Sequence, residues 1–379
     1  MKIGIDIRLI GKKRTGDEVV FFNLVKNLVK IDNKNSYVLF ADLNQLELLG
    51  NIEKELGIIK GKNFEIVVLK TKSKFAWNFL VLSWYLRKDP VDVYLTQYIT
   101  PFFVPKNVKI VTIIHDISFN FFAQFIKFSD LFFLKTLIPL SLKRANKIVG
   151  VSQFTKNEIE KYYKINPEKV EWIHNSISEE FLSSDVSIEQ RENVREKYRL
   201  PEKFVLYLGT LQPRKNVPHL ISAFARIKNE IDETKLVICG NRKSHNYDER
   251  IDEVIRVNNL EGEVVFPGFI EEADKATIFA LAHVFVFPSL YEGFGIPVLE
   301  AMSQKVPVIC SDIPSLREVA QDSALYFDPL DLDDFSKKLY DISMDNDLRS
   351  ELIDSGRKRV SFFSWEKSAR KMLAIFEKM

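Results

Sequence analysis

PSLYEGFGIPVLEA, residues 288–301, continues the apolar run VFVF and sets two glutamates, Glu292 and Glu300, around a Gly-Phe-Gly turn and a proline. Gly293 and Gly295 permit backbone angles and close approaches that a Cβ resists. Pro297 suits the first turn of a helix, where its missing N–H has no intrahelical partner. The pattern predicts a strand, a tight turn and a helix starting near Ile296. The unpaired N–H groups of such a helix start, with the positive end of its dipole, make an anion site. Glu292 then lies in the loop and Glu300 about one turn inside the helix. Were the whole segment helical, their α-carbons would stand about 12 Å apart. The loop makes that spacing a poor guide, so it does not define a glycosidase pair, whose carboxyls stand roughly 5 to 9.5 Å apart. A carboxylate accepts hydrogen bonds from hydroxyls and does not itself bind phosphate. Two carboxylates flanking an anion site therefore suit a ligand with both diphosphate and polyol groups, as a nucleotide sugar has. Read singly, each glutamate is only a charge complementing the helix dipole, which leaves the glycines unexplained.

Outward from this stretch, short β-branched runs recur at intervals that accommodate crossover helices. KIGIDIR, YVLFAD, FEIVVL, VDVYLT, KIVTIIH, KIVGVS and VEWIH form a first series, and KFVLYLGT, KLVICG, EVVFPGF, VFVFPS, VPVICSD and ALYFDP a second. Helical spacing fills several gaps, as at 19–29 and 154–163. The alternation predicts an α/β protein with two parallel sheets, each covered by helices on both faces. The polar, charged stretch 176–202 between the series reads as a link. It divides the chain into domains at about 1–180 and 200–364, with a last helix at about 365–379 that is free to pack back on the first.

Ligands of open parallel sheets bind outside the carboxyl ends of strands. That rule singles out His115 and Asp116 after KIVTII, and Gly209 with Arg214, Lys215 and Asn216 after KFVLYL. Arg214 and Lys215 precede a helix that Asn216 is placed to cap, and two cations there would neutralise a diphosphate and stabilise it as a leaving group. An Arg-Lys pair elsewhere is ordinarily a solvated surface, and a histidine after a buried strand often only satisfies backbone groups.

The 379 residues favour two domains, and 54 Lys+Arg against 52 Asp+Glu leave no global field to gather nucleic acid. Cys239 and Cys310 end apolar runs without metal-ligand spacing and read as buried thiols. The opening MKIGIDIRLIGKKRTG lacks the apolar core of a signal peptide, so a cytoplasmic protein is expected. The aromatic stretch 119–140 is interrupted by Lys127, Asp130 and Lys135 and reads as an amphipathic helix pair covering a sheet. With Lys12, Lys13 and Arg14 it also offers a peripheral contact with an anionic membrane, at the inner face.

PSLYEGFGIPVLEA, with LYLGTLQPRKN upstream and VPVICSDIPSLREVAQDSALYFDPLD downstream, resembles the donor half of the retaining glycosyltransferases of family 4. GIDIR, the RTG loop, IIHD and ANKIVGVSQFTKNEI extend the likeness into the first half. The resemblance implies a GT-B fold, with two Rossmann-like doubly wound domains facing across a cleft. It implies that Arg214 and Lys215 hold the donor's diphosphate, that Glu300 binds the ribose hydroxyls and that Glu292 contacts the transferred sugar. Backbone N–H groups of Gly293, Phe294 and Gly295 would contact sugar and phosphate, and backbone near Gly268 and Phe269 would receive the base. His115 would lie near the reaction centre, and Gly16 would let the first domain's backbone approach the phosphates. The combination of GIDIR, RTG and the C-terminal motifs is most similar to bacterial polysaccharide mannosyltransferases. It implies a nucleotide-sugar donor such as GDP-mannose, a glycan or lipid-linked acceptor, retention at the anomeric carbon, and neither cofactor nor metal.

Three positions depart from the family pattern. Asn175-Ser-Ile-Ser178 replaces Asn-Gly-Val-Asp, Lys305 stands where a glycine usually ends the helix, and Gly16-Asp-Glu-Val-Val is not the usual loop. Other readings remain open: a non-catalytic nucleotide-sugar-binding subunit, a glycoside hydrolase using Glu292 and Glu300, or a metal-dependent transferase holding its ion at Asp331-Leu-Asp333. The last motif reads as the acidic start of a helix.

Overall fold

The computed structural model describes residues 1–11, 16–43, 46–59, 61–71, 76–183, 186–231, 233–244 and 246–379. It divides into two compact units. The first holds Met1–Phe121, Lys127–Asn175 and Ser364–Met379, and the second Phe122–Ile126 and Ser176–Phe363.

In the first unit, β1 (Lys2–Asp6), β2 (Ser36–Ala41), β3 (Phe64–Val68), β4 (Val93–Gln97), β5 (Lys109–Ile114), β6 (Lys147–Gly150) and β7 (Val170–Trp172) form one sheet. Its order is β3-β2-β1-β4-β5-β6-β7, and every pairing is parallel. Both faces of such a sheet are covered, which is why its strands read as continuous apolar runs. The helices are α1 (Gly16–Ile31), α2 (Leu46–Leu56), α3 (Leu82–Lys88), α4 (Phe128–Arg144), α5 (Gln153–Tyr163) and the last helix of the chain, Trp365–Glu377. That last helix packs on α1, and its Ser368 hydroxyl donates to the His174 carbonyl at 2.6 Å.

The stretch 119–140 differs from the expected helix pair. It forms two single 3₁₀ turns, Ser118–Asn120 and Ala123–Phe125, and then α4. Ile138, Ser141 and Leu142 are the buried side of α4, while Phe128 is 83% and Phe132 57% exposed. The aromatic face is the solvent face. Among the described residues, no helix is long and apolar enough to cross a membrane.

The second unit is built on β8 (Phe204–Leu208), β9 (Lys235–Cys239), β10 (Val264–Gly268), β11 (Val284–Phe287), β12 (Val308–Ser311) and β13 (Leu325–Phe327). The order is β10-β9-β8-β11-β12-β13, again all parallel. The stretch 176–202 is not a link but the start of this unit, carrying α6 (Glu179–Ser183) and α7 (Ile188–Tyr198). A capping box of Ser187 and Gln190 starts α7. Arg191 donates to the Ala280 carbonyl and the Tyr198 hydroxyl to Asp274, each at 2.8 Å, and so fasten it to the unit. Further helices are α8 (Val217–Ile227), α9 (Arg250–Val257), α10 (Glu272–Leu281), α11 (Ile296–Ser303), α12 (Pro314–Ala320), α13 (Leu332–Met344) and α14 (Asn346–Val360). Both cysteines are buried and unbonded, and burial pushes the Cys239 thiol up to about 12.

In each sheet the winding direction reverses once, between β1 and β4 and between β8 and β11. A crevice at the carboxyl ends of the strands forms at such a reversal. The sequence places its Gly-rich and charged turns after β8 and β11.

Candidate active site

The turn after β8 opens at Gly209, whose N–H donates to the Cys239 carbonyl at 3.0 Å; a Cβ there would lie 2.9 Å from the Tyr207 hydroxyl. Pro213–Lys215 forms a 3₁₀ turn. Asn216 follows at φ +59° in the N-cap position of α8, but its side chain does not cap. It donates to the Pro329 carbonyl at 3.0 Å instead, and asparagine is used here for its tolerance of the left-handed backbone. The Leu290 N–H donates to the Arg214 carbonyl at 2.9 Å, tying this turn to the one after β11.

After β11 the chain turns at Gly295, φ +108°, where a Cβ would lie 2.6 Å from a Leu316 methyl. Pro297 then sits in the first turn of α11, as expected. Phe294 is buried edge-on against Phe363, centroids 5.7 Å apart, so its ring belongs to the core and only its backbone serves the turn.

Glu292 is 8% exposed and meets both cations of the other turn. The Lys215 ammonium donates to Oε1, and Arg214 Nη1 lies 3.4 Å from Oε2 while donating to the Tyr291 carbonyl at 2.8 Å. Burial pushes the carboxyl's pKa up, but the two cations outweigh it and hold the group below the usual carboxylate range.

Glu300, in α11, is 4% exposed and has a different partner. Lys275 of α10 donates to its Oε1 at 2.7 Å, and Glu272 lies 3.9 Å from the same ammonium. Burial dominates here, one cation offsets it only in part, and Glu272 adds repulsion, so the pKa is raised. Nothing in the local sequence marks Lys275.

Gly268 ends β10 at φ +86°, a conformation that favours glycine, and Phe269 beyond it is exposed. Both stand at the edge of the sheet, two strands from β8. His115 and Gly16 belong to the first unit. His115 Nε2 lies 2.8 Å from Gln97 Oε1, Nδ1 is 3.7 Å from Asp17, and the Tyr98 ring tilts over it with centroids 5.6 Å apart. Tyr98 holds φ +54°, an uncommon backbone for a tyrosine at a strand's carboxyl end. Gln97 and Tyr98 carry no motif, and only folding makes them neighbours of the histidine. Gly16 begins α1, and a Cβ at that position would meet no described atom within 4 Å, so the unit's own packing does not require glycine there. Lys12, Lys13 and Arg14 lie outside the described residues.

Asp331 Oδ1 accepts from the Asp333 and Asp334 N–H groups and caps α13, so the Asp-x-Asp pair is a helix start. Among the described residues, no group of three or more His, Cys, Asp or Glu is placed to hold a metal ion. Lys305 takes φ +62°, so the turn after α11 keeps a left-handed form without its glycine.

Two doubly wound parallel units of this kind define the GT-B class of glycosyltransferases. Solved structures agree on the fold: a glycosyltransferase from Rickettsia africae superposes over 100% of this chain and 98% of its own, with TM-score 0.76 at 19% identity. Anabaena Alr3699/HepE, solved in complex with UDP and glucose, does so over the whole of both chains, with TM-score 0.76 at 14% identity. Sequence profiles carry the comparison further. The profile described as Glycosyltransferase Family 4 matches residues 15–181, and that described as Glycosyl transferases group 1 matches residues 190–359. O-antigen chain mannosyltransferase B of Escherichia coli is 30% identical over 268 residues, which are 70% of this chain and 69% of that protein. The serotype-specific mannosyltransferase WbdA of Escherichia coli is 30% identical over 241 residues, although the match spans only 29% of its length. The chain belongs to the family 4 glycosyltransferases, with a group 1 second domain.

Proposed function

We propose that this glycosyltransferase moves a hexose, mannose, from a nucleotide-diphosphate donor to a glycan or lipid-linked acceptor in polysaccharide biosynthesis, with retention and without a metal ion. The two relatives named as mannosyltransferases support the sugar, and the one named as an O-antigen chain mannosyltransferase supports the pathway class. The observation that carries the reading is the pair of buried glutamates at the β8/β11 reversal, each bonded to its own lysine beside the start of α11.

In this reading Glu300 accepts from the ribose diol, and Arg214 and Lys215 receive the diphosphate with the backbone of Gly293 to Gly295. Glu292 keeps those cations in place and accepts from the transferred sugar. The departing phosphate oxygen takes the acceptor's proton as the new glycosidic bond forms on the same face, so no protein base is needed. The protein supplies orientation and charge stabilisation of the leaving group. His115, held by Gln97, serves the sugar near the reacting carbon. The test is transfer from GDP-mannose to a lipid-linked glycan acceptor with a chelator present, the product's anomeric configuration being read by NMR. An α-linked product supports the reading, and a β-linked one overturns retention. Donor binding without turnover on any acceptor would make the chain a binding subunit, and release of mannose from a simple glycoside would make it a hydrolase.

An acceptor carried on lipid matches the outward aromatic face of the first unit. Phe128, Phe132, Phe133 and Leu140 of α4 are exposed beside exposed Lys127, Lys135 and Lys143. Leu80, Trp84 and Phe103 continue the exposed apolar set, and the loop between ties α4 to that region. Its Thr100 N–H donates to Ser141 Oγ at 3.0 Å and its Phe102 N–H to the Asn78 carbonyl at 3.3 Å. Aromatic side chains ringed by ammonium groups suit the headgroup boundary of an anionic bilayer. Sedimentation with phosphatidylglycerol vesicles should pull down the wild type and much less of Phe128→Ser/Phe132→Ser. Equal recovery of the two proteins overturns the contact, and a self-association lost in the variant would assign the face to a second copy.

A further inference from the structure

Lys275 is the fourth residue of α10, with no motif around it. Its side chain is only 17% exposed, and its ammonium lies 5.6 Å from the centre of the Phe181 ring. Phe181 is fixed from two sides, edge-on to Phe279 with centroids 6.1 Å apart, and through its carbonyl, which accepts from Gln304 Nε2 at 2.8 Å. The wall behind Lys275 is therefore α6, tied to the residue just past the end of α11. From this seat the ammonium reaches Glu300 Oε1. The other oxygen, Oε2, is buried and has no hydrogen-bond partner among the described residues. A buried carboxylate oxygen without a donor is costly and calls for an explanation.

We propose that Lys275 is a positioning residue for nucleoside recognition: it fixes the Glu300 carboxylate through Oε1 and leaves Oε2 as the acceptor for a ribose hydroxyl of the donor. The inference rests on the ribose role of Glu300 given above and adds the residue that makes that role work. A carboxylate buried alone favours its neutral form, which is a weaker acceptor than the ionised one. Lys275 supplies the compensating charge, and because it occupies one oxygen it also selects which one faces the ligand. Glu272 helps to hold the ammonium. The assignment accounts for the role of α6 as well: a stretch that reads as a polar link gives the lysine its backstop.

The test is isothermal titration of GDP and UDP, each against its 2′,3′-dideoxy form, with the wild type, Lys275→Met, Lys275→Arg and Glu300→Gln. The wild type should prefer the ribose form by about tenfold or more, the size of a charge-assisted hydrogen bond. Lys275→Met should bring that ratio close to one without changing the affinity for the dideoxy form, and Lys275→Arg should keep it. A general loss of structure would weaken both forms alike. Should Lys275→Met fold poorly, the double variant Lys275→Met/Glu300→Gln, which removes both charges, should show the same ratio as Glu300→Gln alone. A wild-type ratio in Lys275→Met overturns the role of Lys275 while leaving Glu300 in place. A wild-type ratio in Glu300→Gln, or no preference in the wild type, overturns the ribose role and the inference with it.

Discussion

Glu292 and Glu300 lie on one loop-and-helix segment and are nearly equally buried, yet their chemistry diverges. Glu292 faces two cations from the turn after β8, and its carboxyl is held ionised below the usual range. Glu300 faces one lysine with a second glutamate behind it, and its carboxyl is raised. Burial acts in the same direction on both, so the number of compensating charges decides the sign. In the proposed reading, the first glutamate belongs to a cluster that stays charged while charge develops on a leaving group. The second sits in a quieter setting suited to hydroxyl recognition. The difference teaches that a shared motif does not imply a shared role.

The largest effect that would sharpen this contrast is at the doubly paired site. Lys215→Ala should lower kcat by about 10²- to 10³-fold, the usual cost of one donor aimed at developing charge, with a smaller change in KM. A loss confined to KM would make Lys215 a uniform binding contact and dissolve the distinction between the two carboxylate settings. Next, Glu300→Gln should weaken nucleoside diphosphate binding by about 10- to 100-fold, as expected for a hydrogen bond to a charged group, whereas Glu292→Gln should act chiefly on turnover. Equal losses of nucleotide affinity in titrations of the two variants would break the comparison.

The pH dependence of stability should differ in sign. Glu292, with a depressed folded pKa, contributes stability that is present above the ordinary glutamate value of about 4.3 and lost as pH falls through the folded value. Glu300, with a raised folded pKa, contributes stability that is present below about 4.3 and lost as pH rises through the folded value. Thermal melts at a series of pH values should therefore show Glu292→Gln losing ground to the wild type as pH rises within the acid range. Glu300→Gln should gain ground as pH rises above it. Parallel profiles would mean that the two settings are equivalent. The smallest effect concerns the end of the same segment: Lys305→Gly should stabilise by about 1 kcal/mol in chemical denaturation, because a lysine at φ +62° carries a left-handed penalty that glycine avoids. No gain would mean that other contacts of the lysine side chain offset that penalty.

Legibility followed physical locality. Each of the short β-branched runs of the two series became a strand, because strands of a parallel sheet are apolar on both faces and need no partner to be recognised. The Gly293 to Pro297 turn is equally clear, since positive φ and a helix start constrain residue type directly. The stretch 176–202 reads as a link because α7 has little apolar periodicity; its anchors are Arg191 and Tyr198, polar groups whose partners Ala280 and Asp274 are distant in the chain. The stretch 119–140 misleads in the opposite sense, since aromatic residues expected inside face outward on α4.

By itself the sequence determined the α/β class, the strands, the tight turns at their ends and the family, all written in neighbouring residues. The tertiary structure decided the strand order, the opposite electrostatic settings of Glu292 and Glu300, and the pairing of Lys275 with Glu300. A pKa and an ion pair depend on which charges share a buried volume, and that is set by helices and turns far apart in the chain.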